Sequence, residues 1–140
     1  MKNALIDSDV LLDFFFDREP YSEYATYVLT QCELNKMNGY VTPVIISNVY
    51  YLLRKISSHE RVIKKLNQLL TLTEVLIIDK KIILNAMNSK FKDFEDALQN
   101  YACESTGEVD MIITRNIKDY QNSNLSVLTP ENYFKLNTRT

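Results

Sequence analysis

The sequence is poor in the residues that most preformed reactive sites require. Its 140 residues include two glycines, Gly39 and Gly107. Neither a G-x-G-x-x-G nor a G-x-x-x-x-G-K-[ST] loop can be written with them, so nucleotide binding through a glycine-rich phosphate loop is excluded. Cys32 and Cys103 are the only cysteines, and His59 is the only histidine. They form no C-x-x-C pair, and a Cys/His zinc cage needs more ligands than these. A Ser-His-Asp or Cys-His site would have to use His59. That residue lies in the polar stretch Ser57-Ser58-His59-Glu60 and reads better as a solvent-facing helix start. Two isolated thiols point to reduced cysteines in the cytosol. The first residues carry one Lys and then Ile6-Asp7, not the basic-then-apolar pattern of a secretory leader. No apolar run nears the roughly 18 residues of a membrane span. The expectation is a soluble cytoplasmic protein with no membrane association.

Hydrophobic residues make up 46% of the chain and charged residues 24%, ordinary values for one globular core, so a single domain over 1–140 is expected. Sixteen Lys plus Arg against eighteen Asp plus Glu leave a net charge of −2. That balance argues against general coating of nucleic acid and leaves room for a local basic stripe. Apolar runs at 4–6, 39–41, 75–78, 111–114 and 125–128 read as strands, with 75–78 the clearest fully buried one. Between them, helical spacing covers 10–16, with Ser8 or Asp9 as its cap, and 21–35, opened by Pro20. A third helix starts at Thr42-Pro43, with Ile45, Val49, Leu52, Leu53 and Ile56 facing inward. The helix over 60–71 turns Val62, Ile63, Leu66, Leu69 and Leu70 inward. Further helices are expected at 80–88 and at 93–104, the latter with Phe94, Ala97, Leu98, Tyr101 and Ala102 on its stripe. A last helix begins at Thr129-Pro130-Glu131. Alternating strands and helices predict an α/β three-layer sandwich, a mostly parallel sheet of about five strands flanked by helices. Ligands of such sheets bind at the carboxyl ends of the strands. That rule selects Asp7, Thr42, Asp79 and the segment Thr114-Arg115-Asn116.

Four features there could carry chemistry. Asp7 and Asp9 follow the first strand; one of them can be a helix cap, yet two such carboxylates repel unless a cation lies between them. Hard cations such as Mg²⁺ want oxygen ligands of this kind. Asp93, Glu95 and Asp96 open a helix on which Asp93, Asp96 and Asn100 project within roughly a 60° arc. Capping explains Asp93 and Asp96 as well, and the two roles are compatible. Asn48 lies on the inward face of its helix, where it either ties down a loop or lines a polar site. Thr114, Asn116 and Asp119 follow the fourth strand, with Arg115 and Lys118 offering positive charge for a phosphate backbone.

In order, Leu5-Ile6-Asp7-Ser8-Asp9-Val10-Leu11-Leu12-Asp13, Asp93-Phe94-Glu95-Asp96-Ala97-Leu98-Gln99 and Ile113-Thr114-Arg115-Asn116-Ile117-Lys118-Asp119-Tyr120 resemble the motifs of PIN domains, most of all the bacterial toxin-type ribonucleases of the VapC kind. The resemblance covers essentially the whole chain. It implies a parallel sheet with an acidic pocket that binds Mg²⁺ or Mn²⁺ and hydrolyses RNA phosphodiesters. It also implies a homodimer and an antitoxin partner. Asp7 and Asp96 match the first and third acidic positions of the family, Thr114 and Asn116 its Thr-x-Asn/Asp segment, and Asp119 follows closely. Asp9 stands where the family often has Asn.

The implied roles are Asp7, Asp96 and Asp9 as metal ligands, and Asp93 or Asp119 as the group orienting water. Asn48, Thr114, Asn116, Arg115 and Lys118 would contact ligands or substrate. One departure is the amide of Asn48 at the usual second acidic position, a Glu in the family. It adds no charge, so metal affinity should be lower unless Asp9, Asp93 or Asp119 compensates. It also supports an alternative, a PIN-like domain that binds RNA or a protein partner without cutting. The opening Asp7-Ser8-Asp9-Val10-Leu11 resembles haloacid-dehalogenase-like phosphatases too, but there the carboxylate pair follows the Thr or Ser motif. Here Asp93 and Asp96 precede Thr114.

Overall fold

The computed structural model describes residues 2–139. Five parallel strands form one sheet in the order β3-β2-β1-β4-β5, with β1 Lys2–Ile6, β2 Met37–Val41, β3 Thr73–Val75, β4 Met111–Ile113 and β5 Ser126–Leu128. The helices are α1 Ser8–Phe15, α2 Ser22–Glu33, α3 Pro43–Arg54, α4 His59–Leu72, α5 Lys80–Met87, α6 Phe94–Thr106 and α7 Pro130–Asn137, with a 3-10 turn at Ile117–Tyr120. The α/β architecture predicted from the alternation of elements is the one observed.

The central strand explains the arrangement. Ala4, Leu5 and Ile6 are fully buried because β1 is covered on both faces and paired on both edges. Strand order runs β1-β2-β3 one way and β1-β4-β5 the other, so the chain reverses direction across the sheet between β1 and β4. A crevice opens at the carboxyl ends of strands at such a reversal. In register, Ile6 lies beside Ile113, and the Asp7 N–H donates to the Ile113 carbonyl at 3.0 Å. Asp7 and Thr114 therefore leave the sheet side by side. Two glycines serve the frame. A Cβ on Gly39 would sit 2.7 Å from Cys32 Sγ, and Gly107 ends α6 at φ 69.

Several expectations need correction. The third strand is Thr73–Val75, not 75–78. It lies on the sheet edge, where the chain continues extended and Leu76 N–H donates to the Val41 carbonyl at 2.8 Å. Burial there alternates, with Leu76 inside while Val75 is 46% and Ile77 76% exposed. Because every residue of the run is apolar, that period of two is invisible in the sequence. The α1 cap is Asp7, whose side chain accepts from the Ser8 N–H, rather than Ser8 or Asp9. Pro20 precedes α2 without entering it, and Tyr21 is the cap residue. Ile56, Ile63, Leu70 and Phe94 were expected inward and are exposed. Each lies at the margin of its apolar stripe or, for Ile56, just past the end of the helix.

Candidate metal centre

Three carboxylates meet at the β1–β4 crevice. Asp7 is held by the end of β1 and is 6% exposed. Its Oδ1 accepts from Ser8 N–H at 2.8 Å, and its Oδ2 accepts from Thr114 Oγ1 at 2.9 Å and from the Tyr120 hydroxyl at 3.2 Å. Even with these donors, burial and then the charge of Asp9 push its carboxyl up to about 6. Asp9, in the first turn of α1, accepts through Oδ2 from Arg115 N–H at 2.9 Å; Thr114 Oγ1, whose one proton goes to the nearer Asp7 Oδ2, lies 3.3 Å from the same oxygen. Burial is also the first cause raising its pKa. Its Oδ1 is buried and has no hydrogen-bond partner.

Asp96 arrives from α6. Burial raises its carboxyl to about 7, followed by the charges of Asp7 and Asp93, with Asp119 adding a smaller repulsion. The 60° arc predicted for α6 therefore does bring Asp96 to Asp7. Asp93 is the α6 cap, its Oδ1 accepting from Asp96 N–H at 3.0 Å, and it also faces the same pocket electrostatically. The capping reading of that residue is the one observed directly. Asp119 lies exposed on the 3-10 turn with Lys118, and Asn116 N–H donates to Thr114 Oγ1 at 3.0 Å. Of the other residues selected at strand ends, Thr42 caps α3 and donates to Gln99 at 2.8 Å, and Asp79 caps α5. Both serve the fold.

Two placements differ from the sequence expectation. The Arg115 guanidinium is not free at the rim. Its Nε and Nη2 fork onto the buried Asp13 at 2.6 and 3.1 Å, and it stacks 3.9 Å over the Tyr21 ring. Asn48 does not stand alone either, since its amide donates to Glu95 Oε2 at 2.8 Å. A carboxylate from α6 is thereby held at the tip of the amide. Sequence reasoning missed Asp13 and Tyr120 as partners of the site. Their signal was present only as a carboxylate on the buried side of α1 and an aromatic closing the third motif.

These residues fit a hard divalent cation. Burial raises three carboxyls at one place, repulsion from neighbouring carboxylates adds to it at Asp7 and Asp96, and one buried carboxylate oxygen lacks any donor. A cation relieves both. Among the described residues no three His, Cys, Asp or Glu side chains already stand in a ligating arrangement. Mg²⁺ keeps several waters and uses one or two carboxylates. No described helix is long and apolar enough to cross a membrane.

Comparison with known proteins agrees with this architecture. The chain is 25% identical over 137 residues to Ribonuclease VapC1 of Aquifex aeolicus (strain VF5), covering 94% of this chain and 93% of that one. Its fold matches a toxin-antitoxin complex from Klebsiella pneumoniae with a TM-score of 0.65 and 20% identity, over 91% of this chain and 97% of the other. It matches VapBC-1 from nontypeable Haemophilus influenzae with a TM-score of 0.68 and 14% identity, over 92% and 98%. The family model of the PIN domain matches residues 3–118, and the chain belongs to the PIN domain family.

Proposed function

We propose that this protein is a divalent-metal-dependent ribonuclease, the toxin of a toxin–antitoxin pair. The observation that carries the reading is the acidic pocket at the sheet reversal, where the buried Asp7 and the half-buried Asp9 and Asp96 all have raised pKa values and no cation of the protein offsets Asp7 or Asp96. Asp7 and Asp96 would hold Mg²⁺ or Mn²⁺, with the free Oδ1 of Asp9 as a further oxygen. When bound, the ion supplies charge neutralisation at the phosphate and a more acidic water. Thr114 and Tyr120 fix the rotamer of Asp7 by donating to one of its oxygens. Asp93 and Asp119, both close enough to raise Asp96, are placed to accept a proton from the attacking water. Lys118 and Asn116 stand exposed beside them to meet the phosphate backbone. Glu95, held by Asn48, supplies the negative charge that Asn48 lacks. Arg115 orders the pocket rather than the substrate.

An antitoxin partner is supported by the toxin–antitoxin complex among the fold relatives, and a homodimer is proposed with it. Exposed apolar side chains such as Tyr51, Ile56, Ile77 and Met87 offer surface for such contacts. The second reading, RNA or protein binding without cutting, draws on the neutral Asn48 and on the absence of a preformed three-ligand cluster among the described residues.

End-labelled structured and unstructured RNAs, incubated with Mn²⁺, Mg²⁺ or EDTA, separate the two. Metal-dependent cutting that is lost in Asp7→Asn and Asp96→Asn is expected. Binding of RNA without cutting in any metal would establish the second reading.

A further inference from the structure

We infer that Tyr120 is a positioning residue for the acidic pocket, its hydroxyl holding Asp7 in the rotamer from which it takes a divalent cation. The inference deepens the proposed function and rests on that reading of the pocket. Tyr120 ends the 3-10 turn and is 1% exposed, with its ring set edge-on to Phe91 at 6.2 Å between centroids. The ring is fixed by the core, so the hydroxyl is delivered to one place. It donates to Asp7 Oδ2 at 3.2 Å. A phenol has one proton to give, and Asp7 takes it.

The same bond also selects an oxygen. Thr114 and Tyr120 both donate to Asp7 Oδ2, which engages both of its lone pairs. Among the described residues Oδ1 accepts only from Ser8 N–H and keeps one lone pair open. Tyr120 thus leaves Asp7 a defined free oxygen. Space-filling does not account for this hydroxyl. A phenylalanine ring would pack against Phe91 equally well, and a buried hydroxyl costs free energy unless it is bonded. Partners that orient a metal-binding group typically matter about 10–100-fold in metal affinity.

The test is Mn²⁺ binding by metal-free protein, read by electron paramagnetic resonance of unbound Mn²⁺, for wild type and Tyr120→Phe. Thermal melting in EDTA accompanies it. The expected result is a Mn²⁺ dissociation constant raised about tenfold, with melting in EDTA little changed because the ring remains. Equal Mn²⁺ affinity in the two proteins overturns the inference. If Tyr120→Phe fails to fold, wild type labelled with ¹³C at tyrosine Cζ serves instead, with Tyr120 identified through its contact to Phe91. Its signal should move along the Mg²⁺ binding curve, and a signal unmoved at saturation overturns the inference. RNA cutting is scored separately. A wild type that binds Mn²⁺ but cuts no RNA ends the nuclease reading alone, and the two Mn²⁺ affinities still decide the role of Tyr120. A wild type that binds no Mn²⁺ overturns both.

Discussion

Helix α1 and the residue that caps it carry two kinds of buried carboxylate. Asp13 is 0% exposed and fully answered, by the fork of Arg115 at 2.6 and 3.1 Å and by Arg18 at 3.7 Å. Asp7, six residues earlier, is nearly as buried and has hydrogen bonds but no cation, while Asp9 beside it adds repulsion. The fold can supply a guanidinium to a buried carboxylate, since it does so one and a half turns away. Asp9 feels the charge of Arg115 in part, so leaving Asp7 without a cation is a property of that place and not of the scaffold. Charge is closed off where it holds the frame and left open at the acidic pocket.

The largest effect is expected on the closed side. Arg115→Met strands the charge of Asp13, and the loss should be about 3 kcal/mol in urea unfolding, the lower end for an orphaned buried charge because Arg18 remains. If the contrast is sound, cation-free stability should respond the other way on the open side. Asp7→Asn removes an unpaired buried charge and keeps a capping side chain, so in EDTA at pH 8 it should stabilise the protein by about 1–3 kcal/mol.

The pH dependence follows from the same shifts. The folded pKa values of Asp7 and Asp96 lie at about 6 and about 7, above the usual 3.8. Between pH 4 and 7 the folded protein thus binds more protons than the unfolded chain, and stability falls as pH rises through that window. Melting temperatures in EDTA should decline from pH 5 to pH 8, and the decline should flatten in the Asp7→Asn, Asp96→Asn double variant. A flat wild-type profile would sink the claim of uncompensated charge. The smallest effect belongs to the rim. Asn48→Ala frees the exposed Glu95 and should cost less than about 1 kcal/mol of stability, with its consequence appearing instead as a several-fold drop in RNA cutting.

The frame of this contrast could be read from sequence wherever the determinants are local. The buried β1, the α6 stripe from Ala97 to Ala102 and the strand-end rule that led to Asp7 and Thr114 depend on neighbours within a few residues. The arc of Asp93 and Asp96 is equally local. What escaped reading is long-range. Asp13 looks like any polar residue of an amphipathic helix until Arg115, 102 positions away, folds over it. Arg115 looked like a substrate cation for the same reason. The Asn48–Glu95 pair spans 47 positions, and Tyr120 meets Asp7 across 113. The displaced third strand shows another limit, since a run of apolar residues conceals which face of an edge strand is covered.

Calorimetric melting of the wild type at neutral pH, in EDTA and then in millimolar Mg²⁺ or Mn²⁺, compared with Asp7→Asn and Asp96→Asn, reaches the centre of this account. Binding to the folded state alone raises stability with ion concentration. The wild type should melt several degrees higher with the ion, and neither variant should respond. A wild type whose melting is indifferent to both ions would contradict the assignment of the acidic pocket as a metal centre.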